Sequence, residues 1–339
     1  MKTKAILVIC ICTFFSLTAH AQYWSVWHKT GNNALGLSSD EKWAFFIQKN
    51  DAGIDNIYKV ELKTNTVSPV TNFMERPVLS GIVLFGKPAV VYARASTAKG
   101  DDIHLYRINV TTTDPPVDFT PKEGPSTRKI LGMAANGSYV YYLADRGPGS
   151  KTDTYRYDAA QYITELAFAN DKDFETLCWS KDQTHLLLRD PKLGVVYNYS
   201  IETTDKQKLD LPFAGDELKT AFYDPPNTSI YMINKGNQLT KSKITSAGTS
   251  DVETGPNWAG VMNANLSLNA KYFHLVMDKS EKVLDNSSRA FVEIPAGAYD
   301  EVVGPKELSV LYVMNDGVAK KLYLYDIAKK AAKELAVIK

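Results

Sequence analysis

The residues of this 339-residue chain that could perform chemistry do not form a recognised catalytic pattern. The nucleophile elbow Gly-x-Ser-x-Gly, in which a strained turn exposes a serine, does not occur. Neither the Gly-x-x-x-x-Gly-Lys-Ser/Thr loop nor the Gly-x-Gly-x-x-Gly fingerprint is present, so the sequence offers no phosphate cradle. We therefore expect no catalytic residue of the serine-hydrolase type and no nucleotide cofactor.

Histidines are the remaining candidates for acid–base or metal chemistry. Four of the five follow residue 21, namely His28, His104, His185 and His274. The last three lie in strand-like runs at different depths of a repeat, whereas a metal site needs several ligands that converge on one point. We expect hydrogen-bonded structural histidines and predict neither a metal ion nor any other cofactor.

Two other patterns have structural explanations. Residues 51–55 (Asp-Ala-Gly-Ile-Asp) suggest a cation loop, but the alternating oxygen ligands and the distal glutamate of a calcium loop are missing, so a turn is expected. The 19 tyrosines could form a surface on which sugars stack, but most recur at repeated positions. Tyrosines at such positions are expected to pack between strands.

The first 21 residues have the pattern of a signal peptide. Lys2 and Lys4 precede an apolar run over residues 5–15, and Ala19-His20-Ala21 forms a small-x-small cleavage site. We predict an exported protein, periplasmic or secreted by a bacterium, without a transmembrane segment. Removal of the two lysines lowers the formal charge from +1 to −1, and this near-neutral balance argues against nucleic acid as a partner.

The mature chain, residues 22–339, is predicted to be one monomeric domain. Its single cysteine, Cys178, cannot form an intramolecular disulfide and is expected to be a buried core thiol. Stability must then come from a large apolar core, which a chain of this length can supply.

A repeat of 37 to 50 residues predicts the fold. Each unit contains several short runs rich in valine, isoleucine and aromatic residues, which suit a sheet packed on both faces. Units of this length with about four strands are typical of a β-propeller, so we predict an all-β, seven-bladed propeller of four-stranded antiparallel blades. The predicted second strands centre on Phe45, Val91, Tyr141, Leu187, Tyr231, His274 and Leu311.

Third strands are expected to follow, for example at residues 104–108, 154–157 and 322–327, with weaker candidates at 238–244 and 289–294. Residues 328–335 are interpreted as a turn and the last strand, with a short helix as the alternative. Residues 22–29, with two tryptophans, could close the ring by joining the last blade or could cap one opening; closure is the preferred interpretation.

The amino-acid sequence of the repeat resembles that of a known family. Leu37-Ser38-Ser39-Asp40, Asn56-Ile57-Tyr58 and Val70-Thr71-Asn72 are similar to the TolB-type propeller repeat. Residues 100–106, 119–121, 141–146 and 152–155 resemble the N-terminal propeller of acylaminoacyl-peptidase-like members of the prolyl oligopeptidase family. The resemblance covers most of residues 37–211 and fades afterwards, for instance at Asn269-Ala270-Lys271, where Asp-Gly is usual.

In that family a C-terminal α/β-hydrolase domain carries the catalytic residues, and the propeller restricts access to them. We expect that domain to be absent here. Three functions remain open: an exported, non-catalytic propeller that binds or scaffolds a protein, peptide or glycan; a propeller that gates a separately encoded hydrolase; and a propeller lyase or hydrolase.

A binding surface is expected on the loop face, where second-to-third-strand turns meet the connections from each outer strand to the next blade. Acidic side chains predominate there, nine to three. An ordinary solvated rim is the preferred interpretation, and a weak preference for cationic or peptide-like partners is the functional alternative. The main candidates are Glu75, Arg76, Arg128, Asp173, Glu175, Trp258, Tyr299, Asp300 and Glu301, and the same face includes Lys122, Glu123, Asp171, Asp216 and Glu217.

Overall fold

A computed structural model describes residues 35–338 apart from short gaps, which are 39, 75–77, 86–89, 98–102, 113, 121–126, 134–138, 146–151, 159, 171, 181–183, 225, 227, 268 and 278–280. Within this part of the chain the regular elements are β-strands, with one 3-10 turn at Gly215–Glu217. Among the described residues, no helix is long and apolar enough to cross a membrane.

The strands form seven antiparallel sheets, each built from consecutive strands and each one blade of a ring. The strands of the first three blades are β1 (Gly36–Leu37), β2 (Trp43–Lys49), β3 (Asp55–Glu61) and β4 (Val67–Pro69); β5 (Val78–Phe85), β6 (Val90–Ser96), β7 (His104–Asn109) and β8 (Val117–Asp118); and β9 (Thr127–Met133), β10 (Tyr139–Asp145), β11 (Thr152–Asp158) and β12 (Ile163–Phe168).

The last four blades follow the same plan, with one exception in blade six. Their strands are β13 (Glu175–Trp179), β14 (His185–Asp190), β15 (Val195–Ser200) and β16 (Lys206–Leu209); β17 (Leu218–Tyr223), β18 (Ser229–Asn234), β19 (Gln238–Thr245) and β20 (Gly248–Asn257); β21 (Val261–Leu266), β22 (Tyr272–Met277) and β23 (Glu281–Asp285); and β24 (Ala298–Val303), β25 (Ser309–Asn315), β26 (Lys320–Asp326) and β27 (Ala331–Ile338).

The predicted seven-bladed propeller is confirmed, and all seven predicted second-strand centres lie in second strands. Blade six corrects one detail. Residues 289–294, predicted as its third strand, follow β23 and make only a single bridge, between Phe291 and Leu284. The prediction of a turn and strand near the C-terminus is confirmed, because β27 begins at Ala331.

The core lies between blades, since each sheet buries both faces against its neighbours. Six clusters of buried side chains together span every interface of the ring, and the largest joins blades one, two and seven. Cys178 packs between two of these clusters, and burial raises the pKa of its thiol to about 12. Cys178 is half-buried, so the expectation of a buried core thiol is met only in part.

Blades seven and one meet without sharing a strand among the described residues. The apolar contact includes Leu37 of blade one and Leu322 of blade seven, both fully buried. Lys306 donates its backbone N–H to the Glu41 carboxylate at 3.0 Å, and Lys333 Nζ donates to the carbonyl of Leu62 at 2.8 Å. Residues 22–29, for which ring closure was predicted, lie outside the described residues.

Candidate functional site

The loop face contains the predicted site residues, but the structure describes only some of them. Arg128 lies in the inner strand β9, of which the backbone but not this side chain is described. Glu75, Arg76, Lys122, Glu123 and Asp171 lie outside the described residues.

Glu175 and Asp173 are exposed on the loop face, as predicted. Glu175 accepts a hydrogen bond from Arg189 Nε at 2.7 Å, and a second guanidinium nitrogen of Arg189 contacts the same carboxylate oxygen. Arg189 also donates to the backbone carbonyl of Leu218 in blade five. The ion pair thus lies within blade four, and the hydrogen bond from Arg189 to Leu218 connects blades four and five.

Other predicted loop residues are buried, and their expected exposure is corrected. Trp258, Asp300 and Glu301 have only 6%, 9% and 2% of their surface exposed. The Trp258 ring packs against Phe273, with ring centroids 4.8 Å apart. Tyr299 is half-buried, whereas the carboxylates of the 3-10 turn, Asp216 and Glu217, face solvent.

Irregular pairing recurs where the inner strands begin at the loop face. In blades two to seven, the pairing of the inner strand with the second strand shifts register near its start. A β-bulge of this kind redirects side chains and is frequent beside functional sites. We call these positions the bulge ring; they are Ser80 with Gly81, Arg128, Leu177, Lys219, Met262, and Asp300 with Glu301.

Sequence reasoning missed five members of the bulge ring, which are Ser80, Gly81, Leu177, Lys219 and Met262. Met262 is 52% exposed although it belongs to an innermost strand. Lys219 Nζ donates to Asn237 Oδ1 at 3.0 Å, on the turn between the second and third strands of blade five. The sequence gives no clear signal for these shifts, because alternation indicates which face a residue occupies but not where the register shifts.

Glu301 has a structural partner on the neighbouring blade. Its carboxylate accepts the backbone N–H of Val283 at 2.9 Å and forms an ion pair with Lys282. β23 is the outermost strand of blade six. The Glu301 carboxylate oxygen therefore accepts a hydrogen bond that the backbone carbonyl of a fourth strand would otherwise accept. Burial raises the pKa of Glu301, although Lys282 opposes the shift. The preceding residue, Asp300, adopts a left-handed backbone with φ 54°, a strained conformation for this residue type.

His274 belongs to the same interface between blades six and seven. Its Nε2 atom lies 2.9 Å from the carbonyl oxygen of Glu301 and also contacts the Glu281 carboxylate. Burial disfavours the imidazolium, but the negative charge of Glu281 and these hydrogen bonds outweigh it, so the pKa of His274 is raised above 6.5. The contact between His274 and Glu281 lies within blade six, and the hydrogen bond to the Glu301 carbonyl joins it to blade seven.

The other two described histidines are also hydrogen-bonded. His104 Nδ1 lies 2.5 Å from an Asp118 carboxylate oxygen, and His185 Nδ1 lies 2.7 Å from Thr184 Oγ1. The three rings thus belong to blades two, four and six. Among the described residues, no group of three or more histidine, cysteine, aspartate or glutamate side chains is placed to hold a metal ion.

Comparison with known proteins gives the fold. No family model matches the chain, and no curated protein matches it in sequence. An oligogalacturonate lyase solved in complex with manganese is similar in structure, with a TM-score of 0.64, 10% identity, and coverage of 90% of this chain and 89% of that one. An oligogalacturonate lyase from Vibrio parahaemolyticus matches with a TM-score of 0.60 and 9% identity over 89% and 90% of the two chains.

A structure from a study of two prolyl endopeptidases matches with a TM-score of 0.56 and 11% identity. This match covers 93% of the present chain and 50% of that protein. The resemblance to the propeller of the prolyl oligopeptidase family, expected from the sequence, is thereby confirmed for the fold. The manganese belongs to the first lyase, and the described residues of this chain offer no matching group of ligands.

Proposed function

We propose that this protein is an exported, non-catalytic propeller that binds a protein, peptide or glycan on its loop face. The bulge ring is the observation that carries the proposal. It places residues of different chemistry, including Lys219 and Met262, at the loop-face ends of neighbouring inner strands. A rigid ring that presents variable side chains at one opening is a common design for recognition.

The electrostatics of the described loop face suit a ligand with both polar and apolar groups. Arg189 is already paired with Glu175 within blade four, and Lys282 of blade six with Glu301 of blade seven. Lys219 is hydrogen-bonded to the amide oxygen of Asn237, so this contact contains no carboxylate. Met262 adds a flexible apolar contact, which tolerates ligands of different shape.

A direct test uses the chain that begins at Gln22, purified from the exported fraction, with its N-terminus sequenced. Binding is measured by calorimetry against oligogalacturonate, against neutral glycans, and against proteins that co-purify from the native host. We expect one class to bind, and we expect Lys219→Ala and Met262→Ala each to weaken it about tenfold, or about 1.4 kcal/mol. Lys63→Ala, on an exposed turn of the opposite face, is the matched control.

A second candidate function is the gating of a separately encoded hydrolase, which the similarity to prolyl endopeptidases favours. Its test is co-purification of an α/β-hydrolase that a fluorophosphonate labels while the propeller itself stays unlabelled. A third candidate, a lyase, is favoured by the two lyase structures. Release of unsaturated sugars from oligogalacturonate by the purified chain would establish it and would overturn the non-catalytic proposal.

A further inference from the structure

The outer rim of blade three carries the densest set of exposed apolar side chains on any outer strand that the structure describes. Tyr162 is 59% exposed, Ile163 47% and Leu166 50%, all in or directly before β12. Tyr162 is held at φ 60°, which is rare for a bulky side chain. Clustered apolar residues on a strand edge mark an interaction site more often than scattered ones.

Strand β12 lacks the usual protection of an exposed edge. It pairs only with β11 among the described strands, so its outer edge can accept a further strand. Its one charged residue, Glu165, is neutralised by Arg156 at 2.7 Å. The other outer strands are very short, as in β4 and β8, or carry charges, as in β16, β20 and β27.

The strand register shows which residues face the same space. Leu166 lies opposite Tyr155, whose ring packs against the cluster shared by blades two and three. In the strand register of blade two, Arg107 lies opposite Tyr92 on one neighbouring strand and opposite Val117 on the other. All three residues therefore lie on the face of the sheet towards blade three. β8 has only two residues whereas β12 has six, so β8 by itself is too short to flank the whole of β12.

A positive charge is available in this space. The Arg107 guanidinium carbon lies 5.3 Å from the centre of the Tyr162 ring, which fixes its orientation by a cation–π contact. The Arg107 side chain is hydrogen-bonded to the neutral Tyr92 hydroxyl. Among the described residues it forms no ion pair with a carboxylate, and its Nε atom has no hydrogen-bond partner. Val117, 39% exposed, completes an apolar border around this charge.

We propose that this surface, the blade-three rim (Arg107, Val117, Tyr162, Leu166 and the edge of β12), binds an extended acidic segment of a partner protein as an additional strand. The free edge supplies main-chain hydrogen bonds, the aliphatic side chains supply apolar contact, and Arg107 selects a carboxylate. The rim is distinct from the loop face, and the inference stands whether or not the loop face binds a ligand.

The test uses fluorescent eight-residue peptides that alternate valine with glutamate, and a matched peptide with lysine in place of glutamate. Fluorescence anisotropy with the chain from Gln22 onwards should show binding of the glutamate peptide at least about tenfold tighter than the lysine peptide. Leu166→Lys and Arg107→Gln should each weaken binding of the glutamate peptide about tenfold. Val252→Lys, at an exposed position of the outer strand β20, should not.

Equal affinity for the two peptides would overturn the proposal, as would an equal effect of Val252→Lys and Leu166→Lys. If Leu166→Lys fails to fold, the wild-type protein is titrated with a glutamate peptide N-methylated on alternate residues. Loss of binding would support strand addition, and retained binding would overturn it.

Displacement of the glutamate peptide by oligogalacturonate in wild type but not in Arg107→Gln would instead assign the rim to an acidic glycan. Loss of loop-face binding in Lys219→Ala with unchanged peptide affinity would separate the two surfaces.

Discussion

Trp179 and Trp43 stand beside or within similar strand-like runs in the sequence, a position that predicts burial between blades for both. The structure confirms this for Trp179, which is 3% exposed and whose ring centroid lies 3.8 Å from that of Tyr141 on blade three. Trp43 is only half-buried, and Lys59 Nζ lies 5.2 Å from its ring centre. The difference arises because Trp43 begins its strand, where the neighbouring blade covers less of the side chain.

Trp179→Ala should therefore destabilise the protein by roughly 3–5 kcal/mol, since it removes a large enclosed ring. Trp43→Ala should cost about half as much, in proportion to the smaller apolar area removed from water. Chemical denaturation monitored by circular dichroism measures both values. Equal losses for the two variants would contradict the assignment.

The buried contact between His274 and Glu281 makes stability depend on pH. The folded protein holds the His274 proton more tightly than the unfolded chain does, because its pKa is raised. The resulting stabilisation is complete below the unfolded pKa of about 6.5 and is lost as the pH rises through the folded value.

We expect the free energy of unfolding of the wild type to decrease as the pH rises above about 6.5. His274→Gln should flatten this slope, and a double variant that also contains Glu281→Gln should behave like the single variant. Denaturant titrations at closely spaced pH values provide the measurement. A slope that persists unchanged in His274→Gln would assign the pH dependence to another group.

Blade six is the element that departs from the four-stranded plan. It lacks a paired fourth strand, and the edge of β23 is covered instead by the bridge to Phe291 and by the Glu301 carboxylate of blade seven. Polar groups on a buried edge must be satisfied, so this side chain substitutes for a missing strand.

Glu301→Ala should cost roughly 2–3 kcal/mol, because it leaves the Val283 N–H without its acceptor and the partly exposed Lys282 without its counter-charge. Lys282 Nζ keeps its hydrogen bond to the carbonyl of Ala298. Hydrogen exchange should accelerate in residues 281–285 in particular. Glu175→Ala, which removes an exposed ion pair on blade four, is the control and should cost less than about 1 kcal/mol. Uniform acceleration across all blades would mean that Glu301 supports the whole ring and not the edge of blade six.

For the whole molecule, the ring is closed in the described residues by packing between blades one and seven. Buried apolar side chains from both blades belong to one cluster, and the polar contacts of Lys306 and Lys333 lie at its exposed margin. Burial of apolar surface should dominate this closure, since exposed ion pairs and hydrogen bonds contribute little.

Leu322→Ala should therefore cost about 2–5 kcal/mol, whereas the double variant Lys306→Ala/Lys333→Ala should cost about 1 kcal/mol or less. Equilibrium unfolding in guanidinium chloride compares them directly. A larger loss in the lysine variant would show that the polar margin closes the ring.

The sequence by itself determined the architecture. Apolar side chains that recur every 37 to 50 residues predict strands with two buried faces, and only neighbouring blades can bury both. The seven second strands were predicted correctly because they are the most buried and therefore the most regular in composition.

Only the tertiary structure shows which side chains belong to the candidate site and which are buried between blades. Glu301, Asp300 and Trp258 look like loop residues in the sequence, but contacts from other blades bury them. The register shifts that place Lys219 and Met262 in the bulge ring depend on pairing with a second strand, which alternation does not encode. Local patterns determine which face of a strand is apolar, whereas the direction of a side chain at a bulge or an interface depends on residues distant in the chain.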